Sequence, residues 1–294
     1  MQKIVPHLWF DKEAKDAAAF YVSVFGNESK LDNNFTLHDT PSGSVDVVGF
    51  HVLGYEFAAI SAGPLFKFNP SVSFSVACKS TAEVDALWEK LSSGGKALME
   101  LGTYPFSERY GWLEDRYGLS WQLIAMGDVE IKQRVTPAIM FVGDVCGKAE
   151  EAIRFYASVF RNSKVGDIFR YVKGQEPDKE GAAAHAFFTL ENQEFVAMDS
   201  ARSHHFAFNE AISFIVNCNT QQEINYYWEK LSADPKSEQC GWLKDQYGLS
   251  WQVGPANMND MLQNGTPEQV DRVTKAFLKM KKFDLAVLED AYRG

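Results

Sequence analysis

The stretch Gly111-Trp-Leu-Glu-Asp-Arg-Tyr-Gly-Leu-Ser-Trp-Gln122 returns later in the chain as Gly241-Trp-Leu-Lys-Asp-Gln-Tyr-Gly-Leu-Ser-Trp-Gln252. Only positions 114 and 116 differ from 244 and 246. Such a match marks an internal duplication, and a repeat must be recognised before any fold is assigned. Working outward, Tyr21-Val-Ser-Val-Phe25 answers Tyr156-Ala-Ser-Val-Phe160, Phe68-Asn-Pro-Ser-Val-Ser-Phe74 answers Phe208-Asn-Glu-Ala-Ile-Ser-Phe214, and Trp88-Glu-Lys-Leu91 answers Trp228-Glu-Lys-Leu231. The order is fixed while the spacing drifts, so the loops differ in length. The expected organisation is a first domain over 1–127, a second over 135–255 and an extension over 256–294.

Each repeat reads as β-α-β-β-β twice, an α+β pattern. Ala17, Phe20, Tyr21 and Val24 lie on one face of a helix, as do Val84, Leu87, Trp88 and Leu91. Gly94-Gly95 is the expected end of the second helix. The second repeat matches this with Ala152, Phe155, Tyr156 and Val159, then Ile224, Tyr227, Trp228 and Leu231. In the extension, Thr266-Pro-Glu-Gln269 has the form of a capping box with Pro at the first helical position. Leu285 and Leu288 predict a further short helix, and the extension is expected to pack across the domains or onto a partner subunit.

The formal charge of −10 argues against nucleic acid or an anionic membrane as partner. No apolar run is long enough to span a bilayer, and the start of the chain runs straight into strand-like residues, so a cytoplasmic location is expected. Aromatic residues make up 14% of the chain, a composition suited to filled cores or aromatic-lined pockets. Cys78, Cys146, Cys218 and Cys240 form no Cys-x-x-Cys pair, and are expected to be structural thiols.

The duplicated motif, with Pro6-His-Leu-Trp-Phe-Asp11, Phe20-Tyr21 and the Phe-Asn-x-x-x-Ser-Phe strand, resembles the vicinal-oxygen-chelate superfamily of glyoxalase, bleomycin-resistance and extradiol dioxygenase proteins. Within it, the chain is similar to the PhnB-like branch that carries the label "3-demethylubiquinone-9 3-methyltransferase". The resemblance covers both repeats. It implies tandem domains whose paired βαβββ modules form open, cup-shaped sheets, two cups in all, closed within each repeat or by exchange between repeats as in homologous dimers. It also implies a small-molecule ligand as partner, in a monomer with an internal pseudo-dimer or in a homodimer.

Enzymes of the superfamily usually hold a divalent metal with His and Glu side chains. The matching places here are Pro6 and Pro137, Ser61 and Asp199, Ser71 and Ala211, and Gln122 and Gln252. Only Asp199 is anionic, and an amide carbonyl is a weak ligand for a catalytic ion. The expectation is therefore no metal and no cofactor. His7 is the reserve ligand, but strand alternation would turn it away from the face of Pro6.

The cup-lining residues expected in repeat two are Asp199, Phe208, Cys240, Trp242 and Gln252, with His185 in a third strand; in repeat one they are Ser61, Phe68, Tyr110, Trp112 and Gln122. Trp112 and Trp242 suit either stacking on a flat ligand or core packing. Cys240 with Asp199 or His185 is a candidate nucleophile and base, although packing is the commoner role of a cysteine beside tryptophan. His51 is a strand histidine, and His204-His205 are expected to be solvated in a loop. Arg109 stands where repeat two has Gln239, so the two cups are expected to be unequal.

The leading functional expectation is a protein that binds a small aromatic or apolar molecule without a catalytic metal. The alternatives are an atypical lyase, isomerase or oxygenase acting through repeat-two residues, and an interaction protein assembled through its tail. A methyltransferase has little support. A methyl-donor site generally wants a glycine-rich turn leading from a strand into a helix, and Gly94-Gly95 instead ends a helix.

Overall fold

The computed structural model describes residues 2–294. Repeat one runs β1 (Ile4–Phe10), α1 (Ala14–Phe25), β2 (Lys30–Thr40), β3 (Gly43–Val52), β4 (Tyr55–Ser61), β5 (Val72–Cys78), α2 (Thr81–Ser92), β6 (Lys96–Tyr104), β7 (Ser107–Glu114) and β8 (Ser120–Ala125). Repeat two runs β9 (Val135–Phe141), α3 (Ala149–Val159), β10 (Lys164–Arg170), β11 (Ala183–Leu190), β12 (Gln193–Asp199), β13 (Ile212–Cys218), α4 (Gln221–Leu231), β14 (Trp242–Lys244) and β15 (Ser250–Pro255). The tail adds α5 (Met258–Asn264), α6 (Pro267–Phe277) and α7 (Leu285–Arg293). The sequence signals for the helix ends hold. Ser80 Oγ accepts from Glu83 N to cap α2, Gly94 leaves it with φ +79°, and α6 carries the full Thr266–Gln269 capping box.

The strands form two sheets, ordered β14-β15-β13-β1-β4-β3-β2 and β10-β11-β12-β9-β5-β8-β7-β6. Each sheet takes its first half from one repeat and its second half from the other. The joins are antiparallel, β1 to β13 and β5 to β9. Of the two ways to close a cup, the chain uses exchange.

Alternation gives each sheet a helix-covered face and a cup face. On the covered face of the seven-stranded sheet, Leu8 pairs with Ala59 and Phe10 with Ser61. There Tyr21 of α1 stacks on Phe50 at 6.0 Å and meets Trp121 of the other sheet edge-on at 5.4 Å. Phe57 likewise meets Phe74 at 4.9 Å. The core of one repeat thus joins the two sheets, while each cup joins the two repeats.

The duplicated motif is mainly a folding device. Asp245 is buried and accepts from Tyr247 N (2.8 Å), Leu249 N (3.1 Å), Trp251 Nε1 (2.9 Å) and Tyr156 Oη (2.7 Å). Asp115 accepts from Tyr117 N, Leu119 N and Trp121 Nε1 in the same way. Gly118 and Gly248 turn the chain at φ +84° and +83°, and Trp121 and Trp251 are fully buried.

The repeats differ at one edge. Repeat one has the full β-α-β-β-β pattern twice, whereas repeat two has no strand answering β6. The tail takes that edge instead. Cys240 N donates to Met280 O (2.8 Å) and Gly241 N to Lys281 O (2.7 Å), so donors of an exposed strand edge find partners. Phe283 settles over Gly241 and Gly254, where a Cβ on Gly241 would lie 2.5 Å from its ring. At the far edge of the same sheet, α6 touches β2. The tail thus reaches from one edge of the seven-stranded sheet to the other, packing within the chain. No helix among the described residues is long and apolar enough to cross a membrane.

Candidate functional site

In the eight-stranded sheet, Ala138 pairs with Ser73 and Val196, and Gln122 with Ser75 and Trp112. These positions face the cup. Gln122 Nε2 donates to Ser73 Oγ (2.8 Å), Tyr110 Oη donates to Gln122 Oε1 (2.9 Å), and Trp112 Nε1 donates to Ser120 Oγ (2.7 Å). The floor is therefore polar and internally satisfied. The rims are aromatic. Phe187 and Phe169 are 46% and 59% exposed on one side, with His185 edge-on to Phe187 at 4.7 Å. Phe106, 61% exposed, meets Tyr110 at 5.0 Å on the other. Burial lowers the His185 pKa, which favours a neutral ring.

In the seven-stranded sheet, His7 pairs with Ser213 and Ala58, Ser213 with Ser250, and Gln252 with Trp242. Gln252 Nε2 donates to Ser213 Oγ (3.0 Å). Trp242 turns edge-on to His7 at 5.4 Å and lies 6.1 Å from Trp9, whose Nε1 donates to Gly63 O (2.8 Å). His7 is buried and its Nδ1 has no hydrogen-bond partner; Ser250 Oγ is likewise buried and unpartnered. Burial pushes the His7 imidazole down to about 4.

Against these two floors, several expected positions move. Pro6 pairs with Phe214 on the helix-covered face, so His7, the reserve residue, is the one that faces the cup. The slip is one residue, which in a strand exchanges faces. Asp199 pairs with Phe141 on the covered face of the other sheet. Its Oδ1 accepts from Gly147 N (2.7 Å) and Ala149 N (3.1 Å) at the start of α3, and its Oδ2 from Ala183 N (3.1 Å). It is a cap, and Ser61 is its counterpart, accepting from Ala14 N. Burial raises the Asp199 carboxyl while those N–H groups pull it back. Phe68 and Phe208 pack edge-on against Phe10 and Phe141 and belong to that same layer.

Cys240 sits in a left-handed turn (φ +49°) against the tail, and burial raises its thiol. Asp199 and His185 lie in the other sheet, so the proposed nucleophile–base pairing is not assembled. Cys78 and Cys218 are buried with thiols pushed up to about 12, and Cys146 is half-buried. His51 bonds the Asp32 carboxylate through Nδ1, and His204 bonds Ser200 Oγ through Nε2 (2.8 Å).

Two clefts lie away from the cup floors. One, of about 490 Å³, follows the seam between repeats and includes Gln2, Tyr55, Gln133 and Gln193. Its glutamines are engaged: Gln2 and Gln133 bond the backbone at Glu56 and Glu194, and Gln193 bonds that of Ile4. The other, of about 200 Å³, lies between the tail and the ends of β13 and β15.

A family model described as 3-demethylubiquinone-9 3-methyltransferase matches residues 2–124 and 133–254. The chain belongs to that family. It is PhnB-like, and its fold is that of the glyoxalase-like, vicinal-oxygen-chelate proteins. A putative 3-demethylubiquinone-9 3-methyltransferase, a PhnB protein from Bacillus cereus, is similar at 36% identity over 42% of this chain and 99% of that one, with a TM-score of 0.39. Protein PA1353 from Pseudomonas aeruginosa is similar at 24% identity over 44% of this chain and 100% of that one, TM-score 0.37. Glyoxalase I from Zea mays shares the fold at 14% identity over 86% of this chain and 94% of that one, TM-score 0.52. Comparison with curated proteins finds no match.

The superfamily's metal poses a question of fit for this PhnB-like chain. Among the described residues, no three His, Cys, Asp or Glu side chains come together to hold an ion. The cup faces offer serine, glutamine and scattered groups, His7 with His51 and Glu56 in one sheet and His185 in the other, that do not converge on one point. That donor set does not fit a catalytic divalent cation.

Proposed function

We propose that this PhnB-like protein binds a small aromatic or apolar molecule in the eight-stranded cup, without a catalytic metal. The observation that carries the reading is the pairing of exposed aromatic rims, Phe169 and Phe187 opposite Phe106, with a satisfied polar floor of Ser73, Gln122 and Tyr110. Apolar walls supply affinity and a few placed polar groups fix orientation. The tail packs at both edges of the seven-stranded sheet, so the surroundings of that cup include a third element. The methyltransferase activity in the family's name gains no support from the cup, which has no glycine-rich strand-to-helix turn for a methyl donor.

Calorimetric titration with 2-naphthol tests the proposal. Binding should weaken about tenfold in Phe187→Ser, the scale of one apolar wall, and weaken also in Gln122→Ala. Binding that ignores both substitutions, or no binding at millimolar 2-naphthol, overturns it.

A further inference from the structure

We propose that the seven-stranded cup contains a second binding site, for a neutral, flat heteroaromatic molecule that takes the place of the Trp242 indole over His7 while that indole turns onto Ser250 Oγ. The site goes beyond the reading above, because it lies in the other sheet.

Its core is a row of cup-face groups on three adjacent strands, His7 on β1, Ser213 on β13 and Ser250 on β15. Ser213 is engaged by Gln252. The two ends, His7 Nδ1 and Ser250 Oγ, are buried with no partner. Neighbouring strands lie roughly 4.8 Å apart, so the orphaned ends are about 10 Å from one another. Buried polar groups are almost always satisfied, and each exception asks for a reason. The row continues to Lys244 beside Ser250, but that ammonium is held by Glu210 at 2.8 Å. What remains in this row is uncharged, while Glu56 and the His51–Asp32 pair lie farther along the same face.

The duplicated half of the molecule shows how the row is satisfied elsewhere. In the eight-stranded sheet Ala138 stands where His7 is, Met140 where Trp9 is, and Trp112 Nε1 donates to Ser120 Oγ at 2.7 Å. Trp242 occupies the matching place to Trp112, yet it faces His7 and Trp9 and leaves Ser250 bare. The cause lies one residue back. Trp112 is inside an unbroken strand, whereas Trp242 follows Cys240 and Gly241 at φ +49° and +83°, bonded there to the tail.

The indole therefore has two seats. One seals His7 without a hydrogen bond. The other satisfies Ser250 and exposes a slot walled by Trp9, whose own N–H is fixed on Gly63 O. A ligand ring in that slot keeps the aromatic contact and gives His7 Nδ1 the partner that Trp242 cannot. Burial holds His7 neutral, so an uncharged ring with one hydrogen-bonding heteroatom matches it.

Quinoline and naphthalene at pH 7.5 are the probes, differing by one ring nitrogen. Full-length protein should bind quinoline about fivefold more tightly than naphthalene, the scale of one net hydrogen bond. His7→Phe should erase that preference. The Trp242 indole N–H resonance, assigned with Trp242→Phe, should shift on adding quinoline and stay in place in Ser250→Ala. Phe187→Ser, in the other cup, should leave the quinoline-induced shift of the Trp242 indole unchanged, which separates this site from the first proposal. A preference that survives His7→Phe, an indole resonance that does not move, or loss of its quinoline-induced shift in Phe187→Ser overturns the inference.

Discussion

Replacing His7 by Phe should stabilise the protein, and more so in acid. At neutral pH the substitution removes a buried nitrogen with no hydrogen-bond partner, a defect worth about 1–2 kcal/mol. It keeps an aromatic ring against Trp242. Acid adds a second contribution. The imidazole titrates near 4 in the fold against 6.5 in the unfolded chain. Above pH 6.5 both states hold it neutral, so it adds no pH dependence. As pH falls below 6.5 the unfolded chain takes up the proton first and is favoured, by about 1.4 kcal/mol per unit. At pH 4.5 the natural protein should therefore have lost about 2.5 kcal/mol from this one residue, and His7→Phe none of it. Urea unfolding at pH 7.5, 5.5 and 4.5, followed by circular dichroism, measures the difference between the two proteins, in which all other titrating groups cancel. A difference that stays flat between pH 7.5 and 4.5, or a variant that is less stable at pH 7.5, would refute the reasoning. A stabilising substitution at a buried polar residue is also what a binding role for His7 leads one to expect, since sites are kept at a cost in stability.

Asp245→Asn should destabilise by about 3 kcal/mol, because an amide nitrogen would face the donors of Trp251 Nε1 or Tyr156 Oη; a melting temperature lowered by less than 3 °C would count against the assigned role. Gly241→Ala forces a Cβ to 2.5 Å from the Phe283 ring at φ +83°, so the 278–284 segment should lift from the sheet edge. Hydrogen exchange should then speed up at Cys240 and Gly241, whose N–H groups bond the tail, and unchanged protection would show that the tail holds by other contacts.

Much of the fold was legible because local rules and the repeat agreed. The stripe of Ala17, Tyr21 and Val24, the capping box at Thr266 and the turn at Gly94 each report one local requirement, and each is met. The cup was legible in its last strands: Tyr110, Trp112 and Gln122 share one floor, and Trp242 and Gln252 the other. The first and fourth strands misled. Their inward positions were placed one residue off, and period-two alternation turns one residue into the opposite face. That error set Pro6 over His7, and it cast Asp199 as a cup residue when its carboxylate caps α3. The run of Asp199 with Gly147 and Ala149 spans two elements, so no sequence spacing announces it.

The sequence by itself determined the duplication, the βαβββ modules, the family and the paucity of metal-binding side chains at the matching positions, since these depend on residue identity and short-range pattern. Tertiary structure alone decided which halves share a sheet, because β1 pairs with β13 and β5 with β9, strands far apart in the chain whose pairing no local pattern announces. It also decided that the tail replaces a missing edge strand, that His7 and Ser250 end one row without partners, and that Trp242 turns away from the seat its twin Trp112 takes. Those features rest on contacts between residues distant in the chain, which a linear pattern does not carry.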